Sequence, residues 1–146
     1  MIHKIFLLIA MAISLLLTAT VDSSCATTSP TSAALGQEFT LAVGQSAAIS
    51  GENITIKFVD VTGDSRCPRN VTCIWAGEVT CAVAITVPGL STSNLTLIYP
   101  GLTSQLSEMD FNGYKLAFRV DPYPVAGKKI ETNQYRLVMN VTKGAH

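Results

Sequence analysis

Hydrophobic and polar residues alternate along most of the chain beyond residue 38. Phe39, Leu41 and Val43 occupy every second position of one run, and the pattern recurs from Tyr135 to Val141. Alternation of this kind puts the apolar side chains on one face of a β-strand. We therefore predict strands in these two runs and in the apolar runs at 54–61, 79–87, 95–99 and 114–120.

Turn-forming residues separate the predicted strands. Gly, Pro and Asn favour tight turns, and they cluster at Pro88-Gly89, Pro100-Gly101, Asn112-Gly113 and from Asp121 to Pro124. No segment shows a sustained helical period, and the one helical turn that we expect lies within residues 103–110. About seven short strands predict one all-β domain over residues 38–146, a single antiparallel β-sandwich that is immunoglobulin-like in general architecture.

The N-terminus has the pattern of an export signal. Lys4 precedes an apolar run from Ile5 to Leu17 that is interrupted only by Ser14. Such a run fits the apolar core of a signal peptide and is shorter than the roughly 20 residues that span a bilayer. We predict a signal peptide over residues 1–24 and a domain that lies outside the cytoplasm.

The sequence leaves three fates open for Cys25. Ser24 and Ala26 are small residues suited to cleavage after Ala26, which would remove Cys25 and release the protein. Alternatively, Asp22 to Cys25 resembles the end of a lipobox, with Cys25 as the lipidated first residue, although Asp22 stands where an aliphatic residue is expected. In the third case the uncleaved segment is an anchor. Each fate limits membrane contact to the N-terminus and places the domain on the cell surface or outside the cell.

Residues 25–37, CATTSPTSAALGQ, separate the export signal from the predicted domain. They are rich in Ser, Thr and Ala. Such a composition buries too little apolar surface to order itself. We predict that this segment is a tether.

The segment from Asp64 to Gly77, DSRCPRNVTCIWAG, lies between two predicted strands and holds two of the four cysteines and the only tryptophan. Five residues separate Cys67 from Cys73, and Pro68 fixes the backbone beside the first cysteine. In an oxidising compartment we predict a Cys67–Cys73 disulfide, worth about 2 kcal/mol on the chain-entropy model. Because the spacing is not Cys-x-x-Cys, we expect no redox activity.

Cys81 is the remaining cysteine of the domain. It lies on the apolar face of the run at 79–87, so we predict a buried and inert thiol. The alternative is a disulfide from Cys81 to Cys67 or Cys73, which would remove the closed loop.

The other side chains of this segment allow two interpretations. Trp75 follows Cys73 by two residues, so an extended chain points both to the same side. In the first interpretation, the indole packs on the disulfide and closes one end of the sandwich. In the second, Trp75, Arg66 and Arg69 form an exposed recognition surface, because Trp and Arg dominate interface hot spots. Asp64 caps the loop or pairs with Arg66, and it completes the set of binding-loop candidates.

The same residues carry a resemblance to a known group of proteins. The pattern DSRCP-x4-C-x-WAG over residues 64–77 resembles the signature of small secreted or lipid-anchored prokaryotic β-proteins that are largely uncharacterised. The resemblance implies a secreted β-sandwich. It brings no activity, cofactor or partner with it.

Four Asn-x-Thr sequons begin at Asn53, Asn70, Asn94 and Asn140. Each is a candidate acceptor for an N-glycan. Alternatively, these triplets simply reflect a Thr-rich β-protein, since Thr is a good strand residue. Asn70 lies inside the predicted loop, so a glycan there would cover the surface that we consider for binding.

Several kinds of chemistry lack their residues. Histidine occurs only at His3 and His146, so a Ser-His-Asp or Cys-His site has no base. Acidic and basic residues both number 10, with no basic run and no Gly-rich phosphate loop, so nucleotide and nucleic-acid binding lack support. No carboxylate spacing matches a calcium-binding loop. We expect no metal, no cofactor and no enzymatic activity.

These observations predict an extracytoplasmic binding or structural module of the cell surface. It would present the loop at 64–77 to a cell-surface protein or glycan. One alternative is an inhibitor of secreted proteases, which would offer Pro68 to Thr72 as an extended, convex loop. Another is a structural subunit of a surface layer or filament, which would use an unpaired edge strand. The oligomeric state does not follow from the sequence.

Overall fold

A computed structural model describes residues 29–144 of the chain. The predicted signal peptide and Cys25 lie outside this range, so the predictions about them stay predictions. Within residues 29–144 there is no α-helix, and a short 3₁₀-helix, Thr132–Gln134, precedes the last strand. The nine strands are β1 (Thr31–Ala34), β2 (Glu38–Ala42), β3 (Ser46–Ser50), β4 (Ile54–Asp64), β5 (Glu78–Thr86), β6 (Ser93–Pro100), β7 (Ser107–Phe111), β8 (Tyr114–Asp121) and β9 (Arg136–Lys143).

The strands form two sheets with a common core between them. The first sheet has the order β1-β3-β4-β5-β6, and the second has the order β2-β9-β8-β7. Neighbouring strands are antiparallel except for β1 and β3, which are parallel. The predicted all-β sandwich is confirmed, with nine strands in place of about seven.

Alternating apolar residues fill the space between the sheets, as the period-two pattern predicts. In β5 every second residue from Val79 to Ile85 is at most 1% exposed, and the residues between them face outward. A fully buried aliphatic or aromatic side chain contributes roughly 1.5–3 kcal/mol, so this core supplies most of the favourable free energy. Its largest fully buried side chains are Phe58, Leu41, Ile49, Ile56, Ile85, Leu97, Leu116, Leu137 and Met139.

Three strands lie where the sequence pattern did not indicate one. β1 occupies part of the predicted tether and pairs with β3, so the ordered chain begins before residue 38. β3 is built largely of small residues. β7 occupies residues 107–111 and pairs with β8, in place of the helical turn expected within 103–110. In each case a neighbouring strand decides the conformation of a segment whose own β-propensity is weak.

The β4–β5 hairpin carries the candidate site. Its register shifts after Phe58 and again after Val61, and such bulges bend a strand and increase its twist. The fully buried residues of β4 end at Phe58, and in the rest of the strand only Val61 is half-buried against the core. The hairpin therefore holds its connecting loop at one end of the sandwich.

Candidate functional site

The connection between β4 and β5 is closed by the predicted Cys67–Cys73 disulfide. The two Cα atoms lie 5.9 Å apart, an ordinary separation for a disulfide. Disulfides persist in oxidising compartments, so this bond is compatible with a location outside the cytoplasm. From residue 29 to residue 144, no helix has the length and apolarity needed to cross a membrane.

The disulfide loop, residues 65–77, continues the β4–β5 ladder beyond the strand ends. Ser65 N–H donates to the carbonyl of Glu78, and Cys67 N–H donates to the carbonyl of Ala76, both at 2.8 Å. Ser65 Oγ also donates to the Glu78 carbonyl and accepts from the Glu78 N–H. Hydrogen bonds therefore fix the base of the loop, and the disulfide closes the part that lies beyond it.

Two glycines let the disulfide loop pack against the neighbouring turn. Gly101 N–H donates to the Gly77 carbonyl at 2.8 Å. Gly77 has a φ of +67°, and a Cβ at this position would overlap the carbonyl oxygen of Ser65. A Cβ at Gly101 would overlap the carbonyl oxygen of Ala76. Only residues without a side chain allow the two backbones to approach this closely.

Arg66 joins the disulfide loop to the second sheet and is only 3% exposed. Its guanidinium makes a bidentate pair with Asp64, with Nε–Oδ1 at 2.9 Å and Nη2–Oδ2 at 2.7 Å. Nη1 donates to the Val120 carbonyl at 2.7 Å, and Nη2 donates to the Pro122 carbonyl at 2.9 Å. Because Val120 belongs to β8, one side chain connects this end of both sheets.

Tyr135 belongs to the same buried cluster. Its hydroxyl donates to Asp64 Oδ2 at 3.1 Å, and the Asp64 side chain is only 11% exposed although its backbone reaches the surface. Burial, together with the charge of Asp64 and this hydrogen bond, raises the pKa of Tyr135 to about 12. Arg66 and Asp64 were binding-loop candidates; their side chains are internal, and the pairing of Asp64 with Arg66 that the sequence analysis considered is present.

Tyr123 ties the disulfide loop to the turn after β6. Its hydroxyl donates to the Cys67 carbonyl at 2.9 Å and accepts from the Leu102 N–H at 3.0 Å. Its ring centroid lies 5.2 Å from the guanidinium carbon of Arg66 and 5.3 Å from that of Arg69, within cation–π range. The sequence assigned Tyr123 only to a turn, and the prolines on either side of it were the sole signal of a constrained backbone.

Ile74 and Trp75 project from the disulfide loop into solvent. Ile74 is 104% exposed and Trp75 is 66% exposed. This exposure does not fit the interpretation in which Trp75 closes the end of the sandwich. It fits the second interpretation, in which Trp75 lies on an accessible surface. Sequence reasoning missed Ile74, whose only signal was its place beside Trp75 in a short closed loop.

A shallow groove of about 400 Å³ is lined in part by residues 68–71 of the same loop. Its walls include Arg69 and Tyr123 together with Val71 and Leu102, which are 47% and 67% exposed. Arg69 makes no ion pair with any group in residues 29–144. We name the exposed group at this end the loop-end surface; its residues are Arg69, Val71, Ile74, Trp75 and Leu102.

Cys81 is a free thiol with 0% exposure, as predicted. Burial raises its pKa to about 12, so at neutral pH it does not form the thiolate that exchanges with disulfides. The Cys67–Cys73 bond excludes the alternative pairings of Cys81.

The remaining candidate residues are spread over the surface. Asn53, Asn70 and Asn94 are exposed, whereas Asn140 is half-buried and its side-chain amide donates to the Gly36 carbonyl at 3.1 Å. The structure thus leaves three sequons accessible to a modifying enzyme, and one of them, at Asn70, lines the groove. Over the described residues, no group of three or more His, Cys, Asp or Glu side chains is arranged to hold a metal ion.

No family model, curated protein or solved structure matches this chain. The resemblance of residues 64–77 to secreted β-proteins therefore stays a prediction.

Proposed function

We propose that this protein is a non-enzymatic, extracytoplasmic binding module that contacts its partner through the loop-end surface. The observation that carries the proposal is the exposure of Ile74 and Trp75 on a loop fixed by a disulfide and a buried ion pair. Clusters of exposed apolar side chains mark interaction sites, and Trp is among the residues that contribute most to binding.

The rigid support of the loop favours a binding role over a purely structural one. Arg66, Tyr123 and the disulfide each restrict the backbone that carries Ile74 and Trp75. A preordered loop loses little conformational freedom when a partner binds, which strengthens association. A loop that served only to close the sandwich would bury its tryptophan.

The groove supports a protein partner that offers a carboxylate beside an apolar side chain. The guanidinium of Arg69 suits bidentate contact with a carboxylate, and the Tyr123 ring holds it at the groove wall. Val71 and Leu102 supply apolar contact on the same groove. These aliphatic side chains offer no hydrogen bonds to sugar hydroxyl groups, so they favour a protein over a glycan.

The protease-inhibitor alternative has less support. An inhibitory loop needs residues 68–72 extended and convex. Here Arg69 N–H donates to the Pro124 carbonyl at 2.9 Å, its backbone forms a bridge with Val125, and Asn70 has a φ of +71°. A segment that is paired on one side and turned at its centre does not enter an active site as a strand. We expect no inhibition of a panel of secreted proteases at micromolar concentration.

The binding role is tested with labelled protein and cells that naturally produce it. Ile74→Ser/Trp75→Ser removes apolar surface and leaves the disulfide intact, and we expect roughly tenfold weaker binding or a greater loss. Arg69→Glu should weaken binding as well, because it opposes the partner's carboxylate. Leu90→Ser is the matched control, since Leu90 is 60% exposed in the β5–β6 connection at the other end of β5.

Each variant is first shown to unfold at the same temperature as the wild type. Equal binding of the wild type and Ile74→Ser/Trp75→Ser would refute the proposal. An equal loss in Leu90→Ser would show that the binding is non-specific apolar adsorption.

A further inference from the structure

Strand β6 is an unpaired edge of the first sheet. One of its sides pairs with β5 over the full length without a register shift. The first pair is Pro100 with Glu78, and the last is Ser93 with Ile85. Its other side pairs with no strand of residues 29–144. Backbone N–H and C=O groups along an unpaired edge are available to a strand from another chain.

β6 also lacks the features that protect the other edges. None of its eight residues, SNLTLIYP, is charged. In contrast, the edge strand β7 carries Glu108 and Asp110, the edge strand β2 carries Glu38, and β1 has only four residues. Charges and short length are common protection against edge-to-edge pairing. β6 has neither, and its one proline, Pro100, stands at the last position of the strand.

Both rows of β6 side chains suit contact with an identical strand. The inner row includes Leu95, which stays half-buried at the margin of the core. The outer row is uncharged and includes Ile98, which is 50% exposed. On β5 the outer face continues with the small residues Thr80 and Ala82, opposite Ile98 and Thr96. At these four positions of β5 and β6 the outer face of the sheet is uncharged.

We propose that two copies of this chain form a two-fold symmetric dimer by antiparallel pairing of their β6 strands. A second copy fits because an uncharged edge does not repel itself, whereas paired β7 strands would bring acidic residues together. A two-fold interface uses the same patch on both copies and closes after two chains. We therefore expect a closed dimer, in place of the filament that the sequence analysis considered. It goes beyond the proposed binding function, since the pairing strand contains no residue of the loop-end surface.

The symmetry determines which residues meet. Paired residues of an antiparallel sheet point to the same face, and neighbours along a strand point to opposite faces. Two identical strands related by a two-fold axis must therefore bring one residue directly opposite its own copy. Opposite Cα atoms lie about 4.5–5.5 Å apart, within the range of a disulfide. Cysteine substitution along β6 consequently locates the axis.

The cross-linking experiment uses single substitutions at the outward-facing positions Asn94, Thr96 and Ile98 of the full chain. After mild oxidation, we expect one single variant to form an intermolecular disulfide. If the axis passes through an inward-facing residue, a mixture of two neighbouring variants cross-links instead. Asp110→Cys on β7 and the wild-type chain are the controls. Equal cross-linking at every position, or none above these controls, would overturn the proposal.

Sedimentation velocity over a concentration series measures the dimer without cross-linking. We expect dimers of the wild type and a dissociation constant roughly tenfold higher or more for Ile98→Lys, because it places like charges on the shared edge. Val59→Lys is the matched control, since Val59 is 41% exposed on β4 in the interior of the sheet. Monomeric wild type at millimolar concentration, or equal dimerisation of Ile98→Lys, would contradict the inference. Ile74→Ser/Trp75→Ser should dimerise like the wild type, which separates this test from that of the binding function.

Discussion

At the scale of single residues, the buried Arg66–Asp64 pair joins the disulfide loop to the second sheet. The Arg66 side chain is 0% exposed, and removing a charge from water costs several kcal/mol. The bidentate contact with Asp64 and the carbonyls of Val120 and Pro122 offset that cost. The pair therefore adds little net stability as a whole, but the loss of one partner leaves an uncompensated buried charge.

Arg66→Met is expected to lower the free energy of unfolding by about 3–5 kcal/mol, because Asp64 stays in the cluster without its cation. Chemical denaturation measures this loss. Arg119→Met is the matched control, since Arg119 pairs with Glu38 and Asp121 at the surface, where the three side chains are 32%, 49% and 47% exposed. An exposed pair contributes only about 0–1 kcal/mol.

The double variant Asp64→Asn/Arg66→Met tests the reason for that loss. We expect its loss of stability to be smaller than the sum of the losses in Asp64→Asn and Arg66→Met, because the effects of substitutions at contacting residues are not additive. Losses of the same size for Arg66→Met and Arg119→Met would show that burial of the ion pair has no special energetic role.

At the scale of elements, the disulfide loop is held by three separate devices. Its base extends the β4–β5 ladder, its middle is closed by Cys67 and Cys73, and its end packs backbone to backbone against Gly101. The last device depends on Gly77, which combines a positive φ with contact to Ser65. Ile74 and Trp75 are exposed because these devices, and not burial of the indole, hold the loop.

Gly77→Ala is therefore expected to destabilise the protein by about 3 kcal/mol or more, since the added methyl group meets backbone that cannot move without breaking the ladder. Gly89→Ala separates the cost of the positive φ from the cost of the close contact, because Gly89 has a φ of +80° but nothing within 4 Å of an added Cβ. That control should lose only about 1–2 kcal/mol from the left-handed backbone. Urea unfolding compares them, and equal losses would mean that the close packing at Gly77 contributes nothing.

At the scale of the whole molecule, a polar cluster joins the two sheets at each end. Arg66 does so beside the disulfide loop. At the other end Glu52, between β3 and β4, accepts from the Tyr114 hydroxyl at 2.7 Å and pairs with Lys143 Nζ at 3.0 Å. Since Tyr114 and Lys143 belong to β8 and β9, Glu52 connects the first sheet to the second.

This second cluster predicts a pH-dependent stability. Hydrogen bonds from Tyr114 and Lys143 lower the pKa of Glu52 from its usual value of 4.5. A carboxyl whose pKa is lower in the folded state stabilises the fold above the unfolded pKa, and this contribution disappears as the pH falls through the folded pKa. Glu52→Gln should therefore melt below the wild type at neutral pH, and the two melting temperatures should converge below pH 4.5.

Glu131→Gln is the control for that titration. Glu131 pairs with Lys129 at the surface, where the two side chains are 61% and 82% exposed. We therefore expect an unchanged melting temperature at neutral pH. A difference between Glu52→Gln and the wild type that stays constant down to pH 3 would show that the Glu52 charge does not contribute.

The candidate site was predicted only in part. Arg69 and Trp75 are accessible, as one interpretation required, whereas Arg66 and Asp64 are internal. Ile74 and Tyr123 were missed, because an isoleucine beside a tryptophan and a tyrosine between prolines look the same in sequence whether they are exposed or buried. The burial of Arg66 was also not predictable from the sequence. Its partners Val120 and Pro122 lie 54 and 56 residues away along the chain, so no local pattern connects them.

The sequence by itself determined the fold class, the Cys67–Cys73 bond and the burial of Cys81, since each depends on alternation or spacing within a few neighbouring residues. Only the tertiary structure decided that Thr31–Ala34 forms a strand, that Arg66 is buried and that β6 is an uncharged free edge. The physical reason is the range of the interactions. Period-two patterning acts along one strand, whereas pairing order, burial of a charge and exposure of a loop depend on segments that folding brings together.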